Sequence, residues 1–286
     1  MNLTEILKRA QNEKWSTGHF NFSESDQVRA VCEAAAELRS VAILGTSEGE
    51  AGHIGYLEAV ALRDAFRKEF GIPIFLNSDH HKSVDSAKKA VDAGYDSIHI
   101  DLSAEPYDQN IAGTKAIVEY AHSKLSEVNV EGELGYLRGE SKIQNEKIEV
   151  SEADYTDPNK AAEFIAATGI NRLAIAVGNI HGISKDEPNL DIDRIIKIRA
   201  AVPTEVALVL HAGSGIPDMQ IKAAITAGIA NVHINTDIRV AYAKALRDEL
   251  QKSDETTPYK FDSPAREALK EVIKQKLTLF GAVNLF

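Results

Sequence analysis

Three stretches of β-prone apolar residues in this chain each end in a histidine. The first runs from Pro73 to His80, with Asp79 just before the ring. The second runs from Leu173 to His181 and Gly182, and the third from Val206 to His211, which opens Ala212-Gly213-Ser214-Gly215. Imidazole is the commonest protein ligand for divalent transition metals. Three protein ligands with an open fourth position is the pattern of a catalytic zinc, as opposed to a closed structural one. A lone histidine at a strand end is ordinarily a structural residue satisfied by its neighbours. Three in matching positions point instead to one shared ion, with Asp79 as a neighbouring acid or base and the Gly-Ser-Gly turn as a phosphate cradle.

Groups so far apart in sequence need a scaffold that gathers strand ends. Short β-branched runs alternate with longer helical patterns, the signature of βα units and a parallel sheet. The expected strands are His19–Phe22, Val41–Thr46, Pro73–Asn77, Ser97–Asp101, Val128–Glu133, Arg172–Val177, Val206–His211 and Ala230–Asn235. Between them lie helical patterns over Asp26–Arg39, Ile54–Phe70, Ser83–Ala93, Asn110–Leu125, Asn159–Thr168, Asp191–Ala201, Asp218–Ala227 and Ile238–Gln251. Gly71, Gly94, Gly169 and Gly228 each fall just past a helix, where a left-handed cap suits glycine. About eight such repeats predict one α/β domain over 1–286, a (β/α)8 TIM barrel; an open doubly wound sheet is the alternative. Leu134 to Pro158 is long and polar for a βα loop and is expected to move, and a last helix is expected near 264–279. A barrel puts its chemistry at the C-terminal strand ends. Those ends carry Asn21, Ser47, Asp79 with His80, Asp101, Glu133, His181, His211 and Asn235. Polar loops in general account for one or two of these, not for the set.

Composition narrows the partners. With 286 residues and 44% hydrophobic content, the chain can bury one sizeable core. Its 32 basic against 43 acidic residues give a net charge of −11, which excludes a basic nucleic-acid or acidic-membrane surface but permits a locally positive pocket for a small anion. Cys32, the single cysteine, sits in a helical pattern and reads as core, so neither a disulfide nor a thiolate metal cluster is available. No apolar run approaches the length of a membrane span and the N-terminus lacks a signal-peptide core, so a cytoplasmic protein is expected.

The ordered set of Asp-His, Ile-Asp-Leu-Ser, Glu-Leu-Gly, Gly-Asn-x-His-Gly, His-x-Gly-Ser-Gly and Asn-Thr-Asp resembles the class II, metal-dependent ketose-bisphosphate aldolases over nearly the whole chain. The resemblance implies that His80, His181 and His211 bind zinc or another divalent ion, with a monovalent cation as a possible companion. Asp79 matches the acid/base residue, and Asp101 and Glu133 match carboxylates for a second or alternate metal position, or for orienting the histidines. Gly182, Lys185, Gly213, Ser214, Asn235 and Thr236 match the phosphate site of the ketone half, and Asn21 and Ser47 match substrate-pocket positions. The implied activity is reversible cleavage of a ketose 1,6-bisphosphate, or a related ketose 1-phosphate, to dihydroxyacetone phosphate and an aldehyde, by a homodimer or homotetramer.

Four departures from the resemblance stand out. The loop glutamate expected in Gly-Gly-x-Glu-Asp falls one place early, as Glu140 in Arg138-Gly139-Glu140-Ser141-Lys142. His233 stands where an asparagine is usual, and Ala212 where a glycine is usual. Tyr259 aligns with an arginine that holds the second phosphate. His19, His53, His99 and His122 have no matching ligand role, and His81 is expected to flank the site. A metal-dependent hydrolase would want a His-x-His pair at the first strand, where Phe20-Asn21-Phe22 offers none. A relative that has lost catalysis and serves as a binding or assembly subunit is the other reading; the retained Asp79 beside three histidines opposes it.

Overall fold

The computed structural model describes residues 2–125, 127–145, 148–184 and 189–286. Ten strands occur among them: β1 Thr17–Asn21, β2 Ala42–Ser47, β3 Ile74–His81, β4 Ser97–Ile100, β5 Asn129–Leu134, β6 Gly139–Ile143, β7 Arg172–Ile175, β8 His181–Ile183, β9 Ala207–Leu210 and β10 Ile229–Ile234. Eight close a barrel in the order β1-β10-β9-β7-β5-β4-β3-β2, while β6 and β8 form a separate two-stranded ribbon. All the barrel pairings are parallel. This is the single-domain (β/α)8 barrel the alternation predicts, and the open-sheet alternative falls.

Around the barrel run α1 Leu3–Glu13, α2 Ser25–Glu37, α3 Glu48–Ile54, α4 Tyr56–Phe70, α5 Val84–Ala93 and α6 Tyr107–Lys124. They continue as α7 Pro158–Thr168, α8 Ile192–Ala201, α9 Asp218–Ala227, α10 Thr236–Lys252, α11 Pro258–Phe261 and α12 Ser263–Leu279. α1 shows why such segments become helices: an Asn2/Glu5 capping box starts it, and Leu3, Ile6, Leu7 and Ala10 bury one face. Gly71, Gly94 and Gly169 take the left-handed cap expected of them.

Where the boundaries differ from expectation, the cause is local. The helix expected over Ile54–Phe70 is α4, and a short helix not expected from sequence, α3, precedes it, set off by Gly55 at φ 93. β3 runs on to His81 instead of stopping at Asn77, since Asp79 still pairs with Ser47 and His81 with Ile100. The register shifts between Ser78 and His81, and His80 sits in that irregularity at φ 46. The long segment after β5 holds β6 and a short 3-10 turn at Glu152–Asp154, which Arg138 ties down with a bidentate contact to Asp154 at 2.9 and 2.8 Å.

The barrel interior departs from the usual aliphatic layers. Arg172 on β7 reaches across to Asn231 on β10, Asn77 on β3, Ser97 on β4 and Glu131 on β5, all of them buried. A wholly buried guanidinium is tolerable because its Nη1 and Nη2 donors meet acceptors on four other strands.

Candidate active site

The C-terminal ends of β3, β4, β5 and β9 bring His80, Asp101, Glu133 and His211 together. The ring of His80 lies 4.5 Å from that of His211 and 4.9 Å from that of His181, centroid to centroid. Ligand atoms of His80, Asp101 and Glu133 all lie within 4.8 Å of one another, as do those of Asp79, His80, His99 and His211. His181, carried on β8 outside the barrel, joins neither group.

Two of the three imidazoles are oriented by a carboxylate. Asp101 Oδ2 meets His80 Nδ1 at 2.8 Å, and Glu131 Oε1 meets His211 Nε2 at 2.6 Å. Asp101 Oδ1 in turn accepts from the backbone N–H and hydroxyl of Ser103. Glu133 Oε2 is buried without a well-formed hydrogen bond, with His99 Nε2 at 3.3 Å and His80 Nδ1 at 3.5 Å. A solvent-excluded carboxylate oxygen without a well-formed hydrogen bond costs free energy. A cation beside it removes that cost, and carboxylate plus imidazole is a donor set that suits zinc and its neighbours. The residues therefore fit a divalent ion.

The left-handed backbone of His80 is uncommon for a residue with a side chain. It is held by the His80 N–H donating to His99 Nδ1 at 3.1 Å and by the Asp101 contact on the ring. Strain of this kind gathers at functional sites.

Asp79 is held on both oxygens. Oδ2 accepts from Asn21 Nδ2 at 2.9 Å, and Oδ1 lies 3.2 Å from His233 Nδ1. The Asn21 amide also donates to Glu50 Oε2 at 2.8 Å. Glu50 belongs to the capping box that starts α3, where Ser47 is the cap. Ser47 thus stands at the mouth, as expected, and also anchors a helix. Glu50 has no place among the expected site residues, although Ser47-x-x-Glu50 is a readable capping signal.

Electrostatics follow from this crowding. Burial opposes the charge of His80, but Asp79, Asp101 and Glu133 outweigh it and raise the ring to about 9. At His181 the balance reverses: burial and the neighbouring His80 and His211 outweigh Asp79 and Asp101 and push the ring down to about 3. Burial disfavours ionised Asp79, yet His80, His233 and His99 hold the carboxyl well below the ordinary range. Burial raises Glu50.

Two chambers meet here. An outer mouth of about 780 Å³ is lined by Ser47, Asp79, His80, Glu133, Glu140 and Arg239, among others. An inner pocket of about 30 Å³, room for a water molecule, is enclosed by Asn21, Gly182, Ser214, Asn235 and Thr236 with the histidines. Asn235 and Thr236 open α10, whose first-turn N–H groups face an anion favourably. Ser214 Oγ accepts from Asp237 N, and Asn235 Oδ1 is buried without a partner. Gly213 and Gly182 are also demanded by packing. A Cβ at Gly213 would lie 2.6 Å from Val232, and one at Gly182 would lie 2.2 Å from the Lys142 carbonyl. Lys185 lies outside the described residues.

Glu140 lies on β6, with 74% of its side chain exposed, and pairs with Lys142 at 2.6 Å. Tyr259 is 73% exposed on α11 and takes no part in lining the mouth. Lys82 and Arg239 are the basic side chains among the described residues that line it, and Arg239 donates to the Ser141 carbonyl at 3.1 Å.

Two histidines given no role from sequence are in fact buried within this network. His19 stacks on His233 at 3.7 Å and 11°, and His99 lies against His80 and His211. Both alternate along strands as inward residues, a signal masked by their lack of any motif. His81 does turn away, to the Tyr56 hydroxyl at 3.1 Å.

A barrel whose strand ends gather imidazoles and carboxylates around an acid defines a metal-competent lyase or hydrolase site. Residues 1–285 match the family model "Fructose-bisphosphate aldolase class-II". A probable fructose-bisphosphate aldolase of Bacillus subtilis is 38% identical over 288 residues, covering 99% of this chain and 98% of that protein. A fructose-bisphosphate aldolase of Staphylococcus aureus is 37% identical over the same shares. Among solved structures, the YdjI aldolase of Escherichia coli K12 superposes with a TM-score of 0.85 at 30% identity, over 99% of this chain and 98% of that one. A putative fructose-1,6-biphosphate aldolase of Coccidioides immitis, at 24% identity and a TM-score of 0.88 over 99% and 97%, shares the fold. This chain belongs to the class II fructose-bisphosphate aldolase family. No described helix is long and apolar enough to cross a membrane.

Proposed function

We propose that this chain catalyses the reversible aldol cleavage of a ketose 1,6-bisphosphate such as fructose 1,6-bisphosphate, or of a related ketose 1-phosphate, with zinc or another divalent ion. The observation that carries the reading is Asp79, contacted on both oxygens, directly beside His80 in a mouth that Asp101 and Glu133 also line. His80, His211 and His181 would hold the ion, with Glu133 beside them. Bound there, it supplies Lewis acidity to the ketone oxygen. Asp101 and Glu131 each contact one ring nitrogen, of His80 and His211 respectively, and would leave the other free to hold the ion.

Asp79 handles the proton at the hydroxyl beyond the breaking bond. In cleavage it takes that proton; the carbon–carbon bond breaks, its electron pair stays on the ketone half, and the departing carbon becomes an aldehyde. Glu140, on the ribbon, is the candidate that returns a proton to the ketone half. The first phosphate sits at the start of α10, against Gly213, Ser214 and Thr236, with Gly182 from the opposite side. For a second phosphate, Arg239 and Lys82 face the mouth, whereas Arg138, Lys142 and Lys260 are engaged by Asp154, Glu140 and Glu255.

The test is release of dihydroxyacetone phosphate from fructose 1,6-bisphosphate and from fructose 1-phosphate, in the native chain and in Arg239→Ala. A charge-assisted contact is worth about 2 kcal/mol, or roughly thirtyfold. Arg239→Ala should lower the preference for the bisphosphate by about that factor. Absence of release from either sugar by the metal-loaded native chain contradicts the reading.

A further inference from the structure

Outside the metal centre, one carboxylate of the mouth stands directly beside Asp79. Glu50, in the first turn of α3, lines the mouth together with Ser47. Its two oxygens are used unequally. Oε2 accepts from the Ser47 N–H at 2.8 Å, the Ser47 hydroxyl at 2.9 Å and Asn21 Nδ2 at 2.8 Å. Oε1 has no hydrogen-bond partner among the described residues, and unlike Glu133 Oε2 it is not sealed from solvent. The other acids of the mouth are placed differently. Asp79, Asp101 and Glu133 belong to the centre, Glu48 Oε1 accepts from the Lys82 N–H at 2.9 Å, Glu140 pairs with Lys142, and Glu105 is exposed.

Asn21 relates Glu50 to the acid. A carboxylate oxygen accepts, so both contacts of Asn21 Nδ2 are donations, one to Asp79 Oδ2 at 2.9 Å and one to Glu50 Oε2. One amide nitrogen thereby sets two carboxylates side by side. A sugar presents the matching pattern, hydroxyls on adjacent carbons. With the hydroxyl beyond the breaking bond at Asp79, the hydroxyl one carbon further out comes to Glu50. Burial raises the Glu50 carboxyl, and the donations from Asn21 and Ser47 oppose that rise.

We propose that Glu50 is a specificity-determining residue: its free Oε1 accepts a hydrogen bond from the hydroxyl on the second carbon of the aldehyde half, and so selects 2-hydroxyaldehydes. The proposal rests on the aldolase reading and deepens it, since it names what the mouth reads in the aldehyde. It assigns this hydroxyl a partner distinct from the groups offered to either phosphate.

One conservative substitution isolates that contact. Three donors converge on Oε2, so in Glu50→Gln the amide oxygen must take its place, and Asn21 and the helix cap keep their acceptor. Only the group facing the mouth changes, from a charged acceptor to a neutral donor. The reaction is run in the direction of condensation, with dihydroxyacetone phosphate and either glyceraldehyde or 3-hydroxypropanal, which lacks the 2-hydroxyl. The metal-loaded native chain should favour glyceraldehyde by about 10- to 100-fold in kcat/KM, the worth of a hydrogen bond to a charged group. In Glu50→Gln that preference should fall about 3- to 10-fold, because the neutral amide keeps part of the contact. kcat/KM for 3-hydroxypropanal should stay within about twofold of the native value, since nothing in that aldehyde reaches Glu50.

A role confined to the cap of α3 would slow both aldehydes alike, so equal slowing overturns the proposal. So does a native chain that condenses the two aldehydes equally well, or a preference that survives the substitution unchanged. A crystal structure of the native chain with a ketose phosphate bound gives a readout free of rates. It should place the second hydroxyl of the aldehyde half within about 3 Å of Glu50 Oε1, and a hydroxyl turned away from it overturns the assignment. A native chain that condenses neither aldehyde overturns the aldolase reading, and this assignment falls with it.

Discussion

Two regions face each other across the mouth, and they are built differently. The barrel rim presents Asp79, His80, Asp101, Glu133 and His211 from strand ends, each tied by hydrogen bonds to side chains of other strands or of Ser103 just after β4. The β6/β8 ribbon presents Glu140, Ser141, His181 and Gly182 from outside the barrel. Glu133 on the rim has 2% of its side chain exposed, against 74% for Glu140 on the ribbon. Groups that must hold an ion and aim a proton need the fixed geometry of the rim. The ribbon, two short strands outside the barrel, carries groups that face the mouth from the other side.

The largest expected effect separates the two regions at their histidines. His80→Ala and His211→Ala should abolish metal retention after dialysis while leaving the circular dichroism of the fold unchanged. His181→Ala, whose ring belongs to the ribbon, should weaken zinc affinity without abolishing it. Full metal content in either rim variant would remove the contrast. Equal loss at all three would show that the ribbon is as much a part of the centre as the rim.

Next comes the acid. Asp79→Ala should retain metal and lower kcat about a hundredfold or more, the scale of a lost acid/base group. Near-normal turnover with weakened metal affinity would recast Asp79 as a prop for His80.

Why the rim is legible in the sequence and the ribbon is not follows from the same contrast. Strand-end positions are marked by the end of an apolar run, so the sequence alone places His80, His211, Asp101 and Glu133. His181 follows an apolar run too, but β7 stops at Ile175 and the chain leaves the barrel before reaching it. β6 has no apolar alternation, its five residues being exposed or half-buried, so nothing in Gly139–Ile143 announces a strand. Arg172, His19, His99 and His233 escape sequence reasoning for another reason. An inward residue of a barrel strand is expected to be aliphatic, and only the partners on other strands show why these polar groups can be buried.

A smaller effect concerns pH. His80 is raised to about 9, because Asp79, Asp101 and Glu133 outweigh its burial. An ion that needs the neutral ring must displace a proton at neutral pH. Zinc affinity should therefore rise about tenfold per pH unit between about 6 and 8 and level off above about 9, with close to one proton released per ion in calorimetry across buffers. A pH-independent affinity over that range would place the ion away from His80.

The smallest concerns Ala212, which follows His211 at φ 57. A residue with a Cβ in the left-handed region costs about 1–2 kcal/mol, and glycine gives back about 0.4–1 kcal/mol through the unfolded chain. Ala212→Gly should raise Tm by about 2 °C. A lower Tm would mean that the Ala212 methyl makes contacts worth more than the strain.

The most direct test of the central claim strips the metal with a chelator, confirms an intact fold, and titrates zinc back while following dihydroxyacetone phosphate release from fructose 1,6-bisphosphate. The account predicts that cleavage vanishes on stripping and returns in proportion to zinc, saturating at one ion per chain. Cleavage that persists in the stripped protein, or metal that returns without cleavage, would contradict it.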